Sequence, residues 1–293
     1  MIRKKPRGKE ELFTKRFYSK NVEREWNRLI KDAYHKLEFE TTMRFLRKYL
    51  PKRGLILDAG GGPGRYTIEL AKKGYRIVLL DLVPANLDFA RKKIKEAKVG
   101  NKIMDIVEGS IVNLSRFKNN MFDAVICLGG PLSHVGNNKK RKRAVSELVR
   151  VAKYGAPIFT SVIGKLSVLQ LLTPDSIKEI ELTKHHKRII KRGDDYLWCS
   201  GSAGLKGETG YSHYFTLEEL KKLFAEQKVK FLENVGLEGL SSQKKDEVNS
   251  LYLKHKKAWK NWLYQHYETC TYPSVVDISS HILLIYKKLN IKR

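Results

Sequence analysis

The stretch Leu55-Ile-Leu-Asp58-Ala-Gly60-Gly-Gly62-Pro-Gly64-Arg-Tyr66 reads as a strand, a tight turn and the start of a helix. A short apolar run stops at an acid and breaks into glycines. Beyond it Tyr66, Leu70 and Ala71 share one helical side, and Gly74 is placed to end the helix. Glycine serves such a turn twice over: it tolerates dihedrals other residues avoid, and it lets a ligand approach bare backbone. The order here is D-x-G-x-G-x-G. A dinucleotide fingerprint would need glycine at Arg65, and a Walker-type phosphate loop is excluded because no Gly-Lys-Ser/Thr follows. A second apolar run, Tyr75 to Leu80, ends in Asp81. An acid at that strand tip suits two ribose hydroxyls, because a carboxylate accepts both at once.

Asp58 to Gly64, followed by Asp81, resembles the first two motifs of class I S-adenosylmethionine-dependent methyltransferases. The likeness is strong from Leu55 to about Ile94 and extends more weakly over residues 40 to 290. It implies a doubly wound, seven-stranded, mostly parallel α/β sheet. It implies that Gly60, Gly62 and Gly64 line the methionine and ribose part of the cofactor, that Asp58 faces its amino group and that Asp81 takes the ribose. By the same resemblance Tyr18, Arg65, Leu82, Gly109, Ser110, Ile111, Leu128 and Gly129 fall around S-adenosylmethionine, or its product S-adenosylhomocysteine. Ser110 departs from the family, which often has aspartate there for the adenine amino group.

The chain has 293 residues and 42% hydrophobic content, enough for one sizeable core with an elaboration or for two modest domains. Cys127, Cys199 and Cys270 lie far apart and form neither a metal-ligand pair nor a disulfide framework, which points to a reducing cytoplasm. The charged N-terminus has no apolar segment behind it, and no apolar run approaches a membrane span. The formal net charge is +27, with 58 basic residues against 31 acids. That favours an anionic partner: nucleic acid such as RNA, an acidic membrane surface or a phosphorylated small molecule. A thermophile-like, lysine-rich composition is the blander source, but thermophily usually raises glutamate alongside lysine.

Along the chain, four segments are expected: a helical cover over residues 1–53, the cofactor-binding half over 54–163, an inserted cap over 164–214 and the rest of the core over 215–293. Two helices are predicted before the first strand, one through Trp26, Ile30, Ala33 and Leu37 and one through Met43, Leu46 and Leu50, closed by Pro51. Pro84 suits a helix start, although Val83 is a poor cap. Further strands are predicted at Ile103–Val107, Phe122–Leu128, Pro157–Ile163, Val229–Val235 and His281–Tyr286. The run Lys139-Lys-Arg-Lys-Arg143 opens a helix whose start lies beside the ligand crevice of a doubly wound sheet. In the cap, Leu169, Leu172, Ile177 and Ile180 form a helix-like stripe, followed by glycine-rich sequence with Tyr196 and Trp198. Thr216 and Glu219 spell a capping box, and Ser241 or Ser242 is placed to cap one long helix reaching His266.

Methyl transfer from a sulfonium needs position and desolvation, and sometimes a base. His134 and His213 are the candidate bases. His185-His186 lacks the partners of a zinc site, so no metal is expected. The Asn/Asp-Pro-Pro-aromatic motif of nucleic-acid amine methyltransferases is absent after Leu128, where Gly129-Gly130-Pro131 stands. The reading is a methyltransferase with a small-molecule acceptor. An RNA methyltransferase and a non-catalytic cofactor-binding protein are the alternatives.

Overall fold

The protein, a computed structural model, is described over residues 10–172, 181, 183–196 and 210–290. The strands are β1 Leu55–Ala59, β2 Arg76–Asp81, β3 Ile103–Glu108, β4 Ala124–Cys127, β5 Pro157–Ile163, β6 Val229–Gly236 and β7 His281–Lys288. They form one seven-stranded sheet in the order β3-β2-β1-β4-β5-β7-β6. β1 to β5 run parallel, and β7 inserts antiparallel between β5 and β6.

Alternation along the strands sends residues to two packed layers. Leu57 and Ala59 bury on one face with Val145 and Leu148 of α6 (Asn138–Val151) and Leu220 and Phe224 of α9 (Leu217–Ala225). Ile56, Ile77 and Leu79 bury on the other, against Leu46 of α3 (Ala33–Tyr49), Leu70 of α4 (Arg65–Lys72) and Ala90 of α5 (Pro84–Glu96). Each fully buried side chain of this size contributes about 1.5–3 kcal/mol. With helices on both faces, a ligand crevice in such a sheet forms outside the carboxyl ends of the parallel strands.

Several expected elements change form. Among the described residues three helices precede β1: α1 (Glu10–Lys20), α2 (Val22–Arg28) and α3. The apolar stripe runs on through Leu29, but Asp32 accepts from His35 N at 2.9 Å and starts α3 afresh. The helix at Lys139 starts one residue earlier, with the Asn137 side chain accepting from Lys140 N. The capping box is half formed. Thr216 accepts from Glu219 N at 3.2 Å, while the Glu219 carboxylate turns to His213. The long C-terminal helix is two helices, α10 (Lys245–Lys254) and α11 (Lys256–Thr269), broken at His255. Neither serine caps α10, because Ser242 donates to Gly239 O and accepts from Ser280 N, and Ser241 lies in a 3-10 turn.

Between β5 and α9 lie α7 (Lys165–Leu171), α8 (Thr183–Arg192) and a short ladder pairing Asp194–Asp195 with Ser212–His213. Ile177, Ile180, Trp198 and Cys199 lie outside the described residues. A last short helix, α12 (Pro273–Asp277), precedes β7. Among the described residues, no helix is long and apolar enough to cross a membrane.

Candidate active site

A cleft of about 1090 Å³, its open mouth included, lies at the carboxyl ends of β1, β2 and β4, beneath α1 and α2. Its floor is the glycine turn. Gly60 and Gly62 have φ of +79° and +56°, values that L side chains avoid. A Cβ on Gly60 would stand 2.6 Å from Pro131, whereas one on Gly62 would meet nothing nearer than Asn86 Nδ2 at 3.9 Å. The backbone is therefore pinned on the protein side and bare on the cleft side. Gly64 does not line the cleft. It is the left-handed cap of α4 and packs against Ala90.

Asp81 lines the cleft with its carboxylate almost fully enclosed. Oδ2 accepts from Gly62 N at 2.8 Å, and Oδ1 accepts from Val83 N at 2.9 Å and Asn86 Nδ2 at 3.1 Å. Burial raises its pKa against these donors. A carboxylate has about four acceptor positions, so both on Oδ1 are filled and the remaining one lies on Oδ2. The expected grip on two hydroxyls at once thus reduces to one. Val83 contributes no side-chain cap to α5 but gives its backbone N–H to Asp81.

Asp58 lies below the turn and not on the cleft wall. A Cβ on Gly61 would meet its Cγ at 2.6 Å. Its Oδ2 accepts from Thr67 at 2.7 Å, and its buried Oδ1 has no hydrogen-bond partner. Burial, with Asp81 nearby, pushes its pKa up to about 7.

The cover brings two groups to the cleft. Tyr18 of α1 lies 2.9 Å from His134 Nε2. His134 Nδ1 faces the Tyr211 carbonyl at 3.3 Å, which fixes the proton on Nδ1 and leaves Nε2 to accept from the tyrosine. Burial pushes the imidazole down to about 4, so it is neutral at physiological pH. Arg28, at the end of α2, stands beside Gly129; a Cβ there would lie 3.4 Å from Nη2. Glu38 clamps the guanidinium at 2.5 and 3.2 Å, and Glu25 adds a contact at 3.3 Å. Glu38 in turn faces His281, itself 2.6 Å from Glu238. Ligating atoms of Glu38, Glu238 and His281 lie within 4.8 Å of one another, a spacing a metal ion would accept. Here Arg28 and His281 face the two carboxylates. Burial works against the charged forms, yet Glu38 is held below its usual range and His281 above it.

Of the other expected residues, Leu82, Gly109, Ser110, Ile111, Leu128 and Gly129 line the cleft. Ser110 donates to Glu11 of α1 at 3.3 Å. Arg65 lines the cleft with its guanidinium 3.7 Å above the Trp26 ring. His213 lies elsewhere. Both ring nitrogens meet carboxylates, Asp194 at 2.9 Å and Glu219 at 2.7 Å, and it lines a second cavity. It is therefore not a base for this cleft. Arg28 and Asn86 line the cleft without any motif to announce them.

The donors fit a ligand with a ribose, an amino-acid carboxylate and a cationic centre. Bare backbone at Gly62 and the Asp81 oxygen suit the ribose. Arg28 at Gly129 suits the carboxylate, and a neutral His134 does not repel the cation.

Residues 56–155 match the methyltransferase domain family. The glycine/sarcosine N-methyltransferase of Aphanothece halophytica is 27% identical over 138 residues, covering 47% of this chain and 50% of the relative. That of Halorhodospira halochloris is 30% identical over 105 residues, covering 35% and 38%. The chain thus spans about half the length or less of these curated relatives. In fold it is similar to a methyltransferase structure from Methanosarcina mazei, with TM-score 0.58 and 22% identity over 84% of this chain and 98% of that one. It is likewise similar to one from Clostridium acetobutylicum, with TM-score 0.57 and 12% identity over 92% and 99%. The glycine turn, Asp81 and the strand order therefore converge with these likenesses: residues 56–155 form a methyltransferase domain, and the described residues adopt the class I, Rossmann-like fold of S-adenosylmethionine-dependent methyltransferases.

Proposed function

We propose that the protein methylates a small-molecule acceptor held beside Tyr18 and His134. The observation that carries this reading is the roof: α1 lies over the carboxyl ends of the strands and brings Tyr18 within 2.9 Å of His134. A cleft closed in this way favours a compact acceptor. The glycine/sarcosine N-methyltransferases among its relatives act, by name, on small amines, which supports the same class.

When bound, S-adenosylmethionine supplies a methyl group on a sulfonium, open to in-line displacement by a nucleophile. The protein's part is to position and to desolvate. Gly60 and Gly62 would give the cofactor backbone to lie on, Asp81 Oδ2 would accept a ribose hydroxyl and Arg28 would pair with the carboxylate. Tyr18 and His134 form the acceptor side. Neutral His134 Nε2 accepts a hydrogen bond from the Tyr18 hydroxyl, whose oxygen can accept one from the acceptor atom; as the methyl arrives, that atom's proton passes to Tyr18 while the tyrosine proton passes to His134.

The test is transfer of labelled methyl from S-adenosylmethionine into cell extract, fractionated into metabolites, RNA and protein. Label among metabolites is expected. Label in RNA alone would favour the second reading, an RNA methyltransferase, for which the charge of +27 speaks. No label in any fraction, with cofactor binding intact, would overturn the enzyme reading.

A further inference from the structure

A second cavity, about 1480 Å³ with its open mouth included, lies across segment 135–141 from the cleft, and Gly136 borders both. Among the described residues, six cations line it: Arg141 and Lys142 of α6, Lys165 of α7, Lys191 and Arg192 of α8, and Lys222 of α9. Three acids also line it, and each already has a partner. Asp194 and Glu219 hold His213, and Glu226 pairs with Lys142. Lys165, Lys191 and Arg192 enter no ion pair among the described residues.

Arg141 is the informative member. It is only 5% exposed, within a run of five cations that begins at the exposed Lys139. Nη1 donates to Val135 O at 3.1 Å and to the Tyr211 hydroxyl at 2.9 Å, while the buried Nε has no hydrogen-bond partner among the described residues. The charge that faces it, Asp194, is already held by His213 and the Tyr211 hydroxyl, and a buried donor left unused is costly until a further acceptor meets it. The first turn of the 14-residue helix α6 lines the same cavity and adds the positive end of its dipole.

We propose that this cavity binds the phosphate group of a small ligand, held by Arg141, Lys165 and Arg192. A divalent oxyanion matches several converging cations better than a single carboxylate does. Arg141 also links this site to the cleft. It holds the carbonyl of Val135, a cleft residue, and the hydroxyl of Tyr211, whose own carbonyl faces His134.

The test is calorimetric titration of the full chain with glycerol 3-phosphate and, separately, inorganic phosphate. One saturable site is expected. The double variant Lys165→Gln/Arg192→Gln should weaken it about tenfold or more. The charge-matched control Lys92→Gln/Lys95→Gln, on exposed positions of α5 across the sheet, should leave it unchanged. A preference for the ester identifies an organic phosphate and equal affinity the free ion; both support the site. No saturable binding, or equal weakening in both double variants, would overturn it in favour of diffuse attraction. S-adenosylhomocysteine titrated into each variant reports an intact cleft, so this outcome is separate from that of methyl transfer.

Discussion

Asp58 is a carboxylate that folding makes harder to ionise. Its folded pKa of about 7 stands above the ordinary value of 3.8, because burial penalises the charge and Asp81 adds to it. The unfolded chain therefore releases this proton first. Stability falls as pH rises from about 4 to about 7, then levels off, a loss on the order of a few kcal/mol. Asp58→Asn should flatten that slope and leave the variant relatively more stable at pH 8, as read from urea midpoints across pH. His134 shifts the other way. Its folded value of about 4 lies below the ordinary 6.5, so its contribution is present at neutral pH and is lost as pH falls between the two. For catalysis, neutral His134 predicts that its own titration does not show in the rate between pH 5 and 8. His134→Gln should lower kcat roughly a hundredfold while S-adenosylhomocysteine affinity holds.

At the scale of elements, the start of α3 matters beyond its own turn. Asp32 caps it, and one and a half turns on it presents Glu38, which clamps Arg28 over the cleft. Asp32→Ala should cost about 1 kcal/mol and lower the melting temperature by a few degrees, whereas Asp32→Asn should retain most of the cap. The strands and the glycine turn are legible in the sequence because each is a local pattern: an apolar run, then an acid or glycine. The breaks at Leu29–Asp32 and His255 are not, because the apolar stripe continues through them. Nor is the role of Arg28, which rests on Glu38 and, behind it, His281 from the far end of the chain. His213 fails as a base for the same kind of reason: its two carboxylate partners come from different elements and occupy both nitrogens. The run Lys139–Arg143 looks uniform, yet the helix turns Arg141 inward and leaves Lys139 exposed.

For the molecule as a whole, a charge of +27 makes non-specific attraction to polyanions a physical consequence regardless of substrate. The protein should bind duplex RNA at low salt, with the logarithm of affinity falling by about 0.9 for each tenfold rise in salt per phosphate contacted. Methyl transfer to a metabolite should survive nuclease treatment of the extract. Retained RNA binding together with nuclease-sensitive methylation would instead tie the charge to the substrate.

The place of β7 sets a clock on the ribosome. Within the sheet β6 pairs only with β7, and β5 has β7 as its outer neighbour. A nascent chain that has emerged as far as Gly236 therefore holds β5 as an open edge and β6 as a strand with nothing to join. Both wait for His281–Lys288 to leave the exit tunnel. Until then the apolar β5 edge, from Pro157 to Ile163, is the surface a chaperone must shield and the template on which an arrested chain would pair with its neighbour.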